Sequence, residues 1–215
     1  MKTDKKDIDI IKNVDNYYSQ KMAIYGSCPK GVDWNGEISQ IIRFKQLLRV
    51  ISNLNTYFTL NDLGCGYGSL LEYLSSLSPE FQYTGIDISS VMIEAAKHKF
   101  SNFYNPKIGY TFEVGNVLTF AEYTVASGIF NVKQETNEQI WMEYTLDIIR
   151  DMNKFSTKGF SFNILTKYSD IDYMKPYLFY ADPCFFFDFC KKNFSKNVAL
   201  LHDYNLYEFT IGVIK

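Results

Sequence analysis

The chain has 215 residues, 47% of them apolar and 17% aromatic, which suits one α/β domain with a sizeable core and leaves too little for two large domains. A formal net charge of −2 gives no overall attraction for nucleic acid or anionic lipid, so neither is expected as a partner. Four cysteines (Cys28, Cys65, Cys184 and Cys190) form no C-x-x-C pair and only two histidines accompany them, which argues against a disulfide framework and against a structural zinc site.

The first residues, MKTDKKDIDIIKNVD, lack the continuous apolar core of a signal peptide, and no stretch approaches the roughly 18 uninterrupted apolar residues of a membrane span. A soluble, cytoplasmic protein is the expectation. Residues 1–52 precede the first strand; they contain a loop at GVDWNG (Gly31 to Gly36) and an amphipathic helix from Glu37 to Ile51, and read as a lid or cap within a single domain spanning 1–215. TYFTLNDL is predicted as the first strand, after which Leu70, Leu71, Leu74 and Leu77 recur at helical spacing. QYTGID is the second strand. A helix follows from Ser89 or Ser90, either able to cap it, with Met92, Ile93 and Ala96 facing inward.

GYTFEVGN, YTVASGIFNV and GFSFNILT supply three more strands, and helices run through EQIWMEYTLDIIRDMNKF and CFFFDFCKKNF after the fourth and fifth. Asp182 is placed to cap the last of these helices, with Pro183 at its first position and Cys184 buried among apolar neighbours. NVALLHDYNLYEFTIGVIK reads as two strands joined at DYNL, an antiparallel pair at the sheet edge. Strands alternating with helices predict a mostly parallel sheet covered on both faces.

Three glycines, Gly64, Gly66 and Gly68, punctuate the passage from the first strand into its helix. A strand that turns sharply into a helix beside a nucleotide needs backbone without Cβ there. A dinucleotide-binding turn would carry G-x-G-x-x-G, yet position 69 is serine and the third glycine comes one residue early. Asp62 stands two residues before the first glycine. Asp87 closes the second strand about twenty positions on, where nucleotide-binding α/β proteins place the acid that binds ribose hydroxyls.

An acid followed by x-G-x-G-x-G resembles the first motif of the class I S-adenosylmethionine-dependent methyltransferases, and the resemblance spans roughly residues 57 to 165 and the tail. It implies a Rossmann-like sheet of seven strands, mostly parallel with the last antiparallel, and S-adenosylmethionine as cofactor. Asp62, Gly64, Gly66 and Gly68 would hold its amino-acid end and Asp87 its ribose. Ile88 and Met92 would flank the adenine, with Asn116 and Val117 beside it, although the family usually has an acid at the place of Asn116. Ser127 would lie near the methionine part, and Arg43 on the lid would pair with the cofactor carboxylate.

For the acceptor, Trp34, Asn131, Tyr168 and Tyr180 lie in segments expected at the carboxyl ends of the strands or in the cap, where open α/β sheets bind ligands. A nucleic-acid acceptor is disfavoured. The Asp/Asn/Ser-Pro-Pro-Tyr/Phe motif of DNA-adenine enzymes is replaced by ASGIF, and Pro183-Cys184 follows the fifth strand instead of the fourth, where cytosine enzymes carry their nucleophile. VDWN, ASGIFNVK and HDYNLYEFTI resemble small bacterial methyltransferases found among surface-polysaccharide genes, which implies a sugar, a nucleotide-linked precursor or a phosphate or phosphoramidate group as acceptor. His202 is the base candidate for a hydroxyl acceptor; an already anionic oxygen would need none. A nicotinamide-dependent oxidoreductase and a non-catalytic S-adenosylmethionine-binding module are the alternative readings.

Overall fold

The computed structural model describes residues 5–32, 36–77 and 80–215. Seven strands form one sheet: β1 (Phe58–Leu63), β2 (Phe81–Asp87), β3 (Ile108–Val114), β4 (Ala121–Ala126), β5 (Ser156–Leu165), β6 (Asn197–Leu201) and β7 (Glu208–Ile214). Their order is β3-β2-β1-β4-β5-β7-β6. All pairings are parallel except those of β7, which runs against both β5 and β6. The mostly parallel sheet with a reversed final strand is the architecture expected from the sequence.

Strand residues alternate between two apolar layers because successive side chains point to opposite faces. On one face Phe58, Leu60, Phe81 and Tyr83 pack against α2 (Glu37–Leu47), α3 (Ser69–Ser76) and α4 (Ser90–Lys99). Phe58 and Phe81 are direct neighbours across the β1–β2 pair, and their rings stack at 5.5 Å. On the other face Phe160, Phe162 and Ile211 meet Trp141, Ile149 and Met152 of α5 (Glu138–Phe155), together with Phe186 and Cys190 of α6 (Pro183–Asn193). Asn137 begins α5 by accepting the Gln139 amide at 2.9 Å, and Asp182 begins α6 by accepting the Cys184 amide at 2.9 Å, as its position before Pro183 predicts.

Four local features differ from the sequence reading. A 21-residue helix, α1 (Lys5–Tyr25), occupies the segment before GVDWNG. Its buried Ile10 and Met22 and its partly buried Val14 and Tyr18 recur every fourth residue and turn inward. Strand β4 stops at Ala126, because Gly128 adopts a left-handed φ of 77° and its amide is taken by the Asn163 side chain at 2.7 Å. The apolar residues beyond it, Phe130 and Val132, are buried from a loop. Ser89 precedes α4 but makes no cap bond; its Oγ lies 3.2 Å from Ser19 Oγ and ties α1 to the main body. Cys184, expected to be buried, is exposed on the first turn of α6.

Candidate active site

The parallel strands end on one edge of the sheet, where the turn from β1 into α3 carries Gly64, Gly66 and Gly68 with φ of 76°, 54° and 81°. At Gly66 a Cβ would meet nothing nearer than Val32 Cγ1 at 3.6 Å, so the missing side chain leaves space on the cavity side. At Gly68 the same atom would fall 2.8 Å from Phe100 Cε2. Gly68 therefore serves close packing of the turn on α4 and β3, not the cavity wall expected for it.

Asp87 fastens this turn to the end of β2. One carboxylate oxygen accepts the Gly66 amide at 2.8 Å and the other accepts the Ser89 amide at 2.9 Å. Burial nevertheless pushes the Asp87 carboxyl up to about 6, against the lowering effect of both amides, and Asp15 of α1 adds a like charge. Asp62, 2% exposed, accepts the Tyr83 hydroxyl at 2.6 Å. Its carboxyl is pushed up to about 7 by burial, with the Tyr83 bond opposing and the Asp87 charge reinforcing. Burial beside both acids also drives the Cys65 thiol well up. Two carboxylates, the buried Asp62 and the half-buried Asp87, thus share one site in which a cation would lower the cost of their ionisation.

A cavity of about 960 Å³ opens from the turn. Its near end is lined by Asp62, Gly64, Gly66, Asp87, Ile88 and Met92, with Asn116 beyond Gly115. Ser127 lines the middle, and its buried Oγ has no hydrogen-bond partner. The far end is closed by Arg43, Asn131, Tyr180 and Glu208, and α1 roofs the cavity with Val14 and Tyr18. The cavity thus gathers most of the residues that the sequence singled out.

Arg43 does so with a different partner from the one expected. Its Nε donates to Glu208 Oε2 at 2.6 Å, in a pair whose side chains are 9% and 2% exposed. Asn131 Nδ2 donates to Glu208 Oε1 at 3.3 Å, while Asn131 Oδ1 accepts the Leu165 amide at 3.0 Å. Glu208 was not foreseen. Its only sequence signal is a lone acid between the DYNLY turn and the apolar run FTIGVI, a position that reads equally well as the solvated start of a strand.

Besides Gly68, three expected residues stand outside the cavity. Val117 is 69% exposed, because the chain after Asn116 turns outward before Leu118 re-enters the core. Tyr168 is 61% exposed on the loop after β5. His202 is exposed just past β6, its ring 6.1 Å from that of Tyr168 and 6.3 Å from that of Phe209. It is not among the residues that line the cavity, and β7 separates β6 from β5. Trp34 lies outside the described residues.

A glycine that leaves room on the cavity side, two acids short of positive charge and an orphaned serine hydroxyl fit a nucleoside carrying a positively charged amino-acid end. Comparison with known proteins agrees. The family described as "Methyltransferase domain" matches residues 61–159, from β1 to β5. The Mycobacterium tuberculosis (strain ATCC 25618 / H37Rv) protein named "Putative methyltransferase Rv1506c" is 48% identical over 168 residues, covering 77% of this chain and 98% of its own. Among solved structures, the fold resembles magnesium protoporphyrin IX methyltransferase of Synechocystis PCC 6803 with bound SAH (TM-score 0.66, 12% identity, 95% of this chain and 99% of that one). It also resembles human N-acetylserotonin methyltransferase in complex with SAM (TM-score 0.61, 13% identity, 100% of this chain and 60% of that one). The sequence relative, nearly half identical and matched over almost its full length, establishes the family: this chain belongs to the class I S-adenosylmethionine-dependent methyltransferases.

Proposed function

We propose that the protein transfers the methyl group of S-adenosylmethionine to an oxygen of a small polar acceptor, such as a sugar, a nucleotide-linked surface-glycan precursor or a phosphate-type group, in the cytoplasm. The observation that carries the cofactor reading is the Asp87 carboxylate bound to the Gly66 amide at the cavity edge. With that bond in place the acid can still accept from a ribose diol through its remaining lone pairs. Asp62, Gly64, Gly66 and Ser127 would hold the amino-acid end, and Ile88, Met92 and Asn116 the adenine.

When bound, the cofactor supplies a methyl on a positively charged sulfur, open to in-line displacement. The chain's own part is positioning and the exclusion of water. Asp62 and Asp87 orient the two halves of the cofactor, and their charge favours a cationic ligand. α1 excludes solvent by laying Val14 and Tyr18 over the cavity, which supports treating residues 1–52 as a lid within one domain. The cavity continues past the cofactor residues to Arg43, Asn131 and Glu208, which favours an enzyme with room for an acceptor over a module that only binds cofactor. The test is calorimetric binding of S-adenosylmethionine, followed by S-adenosylhomocysteine release across a panel of acceptors with mass spectrometry locating the added methyl. Binding of a nicotinamide cofactor in place of S-adenosylmethionine would refute the reading.

A further inference from the structure

We infer that Glu208 is the catalytic residue that receives the proton of the acceptor, and that the acceptor atom is a neutral hydroxyl on a ring with one apolar face, not an oxygen that is already anionic. The inference rests on the methyltransferase reading of the cavity and narrows its substrate.

Glu208 is the first residue of β7, the one strand that runs backwards. The other strands deliver their last residues to the functional edge; β7 delivers its first. The carboxylate lies in the cavity wall and is held from two sides, by Arg43 on Oε2 at 2.6 Å and by Asn131 on Oε1 at 3.3 Å. A carboxylate offers about four lone-pair sites, so Oε1 keeps capacity for a donor arriving from the cavity. Arg43 offsets the cost of burying the charge and fixes the side chain, which is what aiming an acceptor oxygen requires.

Charge discriminates between acceptors. Asp62, Asp87 and Glu208 line the cavity, and Arg43 is the one Lys or Arg side chain among the described lining residues, already bound to Glu208. A phosphate or phosphoramidate oxygen would sit against the Glu208 carboxylate with no second cation to offset it. A hydroxyl would instead donate to that carboxylate. At the mouth Tyr173 and Tyr207 present neighbouring rings, 6.2 Å apart and inclined by 34°, and Tyr207 is steadied by a hydrogen bond from its hydroxyl to Asp170. Flat aromatic faces at the mouth and a carboxylate, an amide and a guanidinium at the floor suit a ring with an apolar face and a hydroxyl edge.

In the reaction the acceptor hydroxyl donates to Glu208 Oε1 and its oxygen lone pair attacks the methyl carbon. The new C–O bond forms as the S–C bond breaks, with its electron pair left on sulfur. The hydroxyl proton passes to Glu208 and is lost to solvent as the ether and the neutral thioether leave.

The experiment first measures S-adenosylhomocysteine binding to the wild-type protein. Absence of binding removes the underlying reading, and this proposal with it, before any acceptor is added. The loaded protein is then titrated with neutral methyl hexopyranosides and with methyl phosphate, and turnover is followed with S-adenosylmethionine. At least one glycoside is expected to bind more tightly than methyl phosphate and to be methylated. Glu208→Gln should keep S-adenosylhomocysteine affinity within about threefold and lose turnover by about 10²- to 10⁴-fold, the usual contribution of a proton-accepting group, with Glu208→Asp recovering part of it. Because Glu208→Gln strips Arg43 of its counter-charge at a cost in stability, Tyr207→Ala at the exposed mouth gives a second arm: about tenfold weaker glycoside binding with cofactor affinity unchanged. Preference for methyl phosphate, wild-type turnover in Glu208→Gln, glycoside binding unaffected by Tyr207→Ala, or no glycoside binding by protein that holds S-adenosylhomocysteine would each overturn the assignment.

Discussion

The carboxylate of Asp87 accepts the backbone amide of Gly66 at 2.8 Å, joining the end of β2 to the turn after β1. One side chain therefore both shapes the glycine turn and lines the cavity proposed for the cofactor. Asp87→Ala is expected to weaken S-adenosylmethionine by about 1.5 to 3 kcal/mol, the range for hydrogen bonds to charged groups, and to lower the melting temperature. Asp87→Asn, which keeps one acceptor oxygen, should fall between wild type and Ala. Calorimetry on a folded Asp87→Ala protein that shows undiminished affinity would take Asp87 out of the site.

Gly66 and Gly68 should separate binding from folding. Gly66→Val places its side chain in open cavity space and should abolish cofactor binding, while the fold bears mainly the cost of a left-handed residue, about 1–2 kcal/mol. Gly68→Ala adds contacts at 2.8 Å to Phe100 and 3.1 Å to Phe112, and should reduce stability in the absence of any ligand. Parallel melting curves and titrations check both; normal cofactor affinity in Gly66→Val would contradict the placement of the turn.

The raised carboxyls of Asp62 and Asp87 give the ligand-free protein an unusual pH profile. An acid whose folded pKa lies above its unfolded value binds its proton more tightly when folded. Its ionisation therefore opposes folding fully above the folded pKa, and the penalty fades as pH falls toward the unfolded value near 3.8. Stability of the free protein should rise from pH 8 to pH 5, first through Asp62 near 7 and then through Asp87 near 6. A cationic cofactor favours the ionised form, so its affinity should rise with pH over the same interval and its binding should release protons. Melting temperatures from pH 5 to 8, with calorimetry in buffers of different ionisation heats, measure both trends. A free protein that melts higher at pH 8 than at pH 5 would show that these two acids do not govern the profile.

His202→Ala should leave turnover within about threefold of wild type, far from the roughly 10²- to 10⁴-fold loss expected of a general base. The residue stands just past the outer strand against Tyr168 and does not line the cavity. A loss of two orders of magnitude at constant cofactor affinity would bring it back into the chemistry.

Ile10 is the α1 residue that enters the core on the α5 side, at 4% exposure. Ile10→Ala should detach α1 more readily, at about 2–5 kcal/mol for a buried large-to-small change, and should be read as faster proteolysis within residues 5–25 that bound cofactor slows. Cleavage at wild-type rates would mean that α1 is held by other contacts.

The strands and α5 were legible because their apolar patterns are dense and end at turn residues: EQIWMEYTLDIIRDMNKF corresponds to α5 residue for residue. The glycine turn was legible because a backbone requirement leaves a mark in composition. Three things were hidden. α1 also carries apolar residues off its inward stripe, with Ile8, Ile24 and Tyr25 exposed, and they blur the spacing of Ile10 to Met22. The end of β4 was obscured because Phe130 and Val132 prolong the apolar run, although they reach the core from a loop. Glu208 was invisible as a site residue because its meaning comes from Arg43, 165 positions away, and from a strand order that local patterns do not encode.

The strand order also has a kinetic side. β6 pairs only with β7, so it cannot join the sheet until the segment that follows it has docked on β5. The strands of the nucleotide half, β1 to β4, are paired with one another and need nothing from that event. Assembly is therefore expected to be staggered, with the nucleotide half closing through its shorter loops and the Arg43–Glu208 contact forming last. A chain assembled only through β4 would lack the cavity end that Glu208 builds with Arg43 and Asn131.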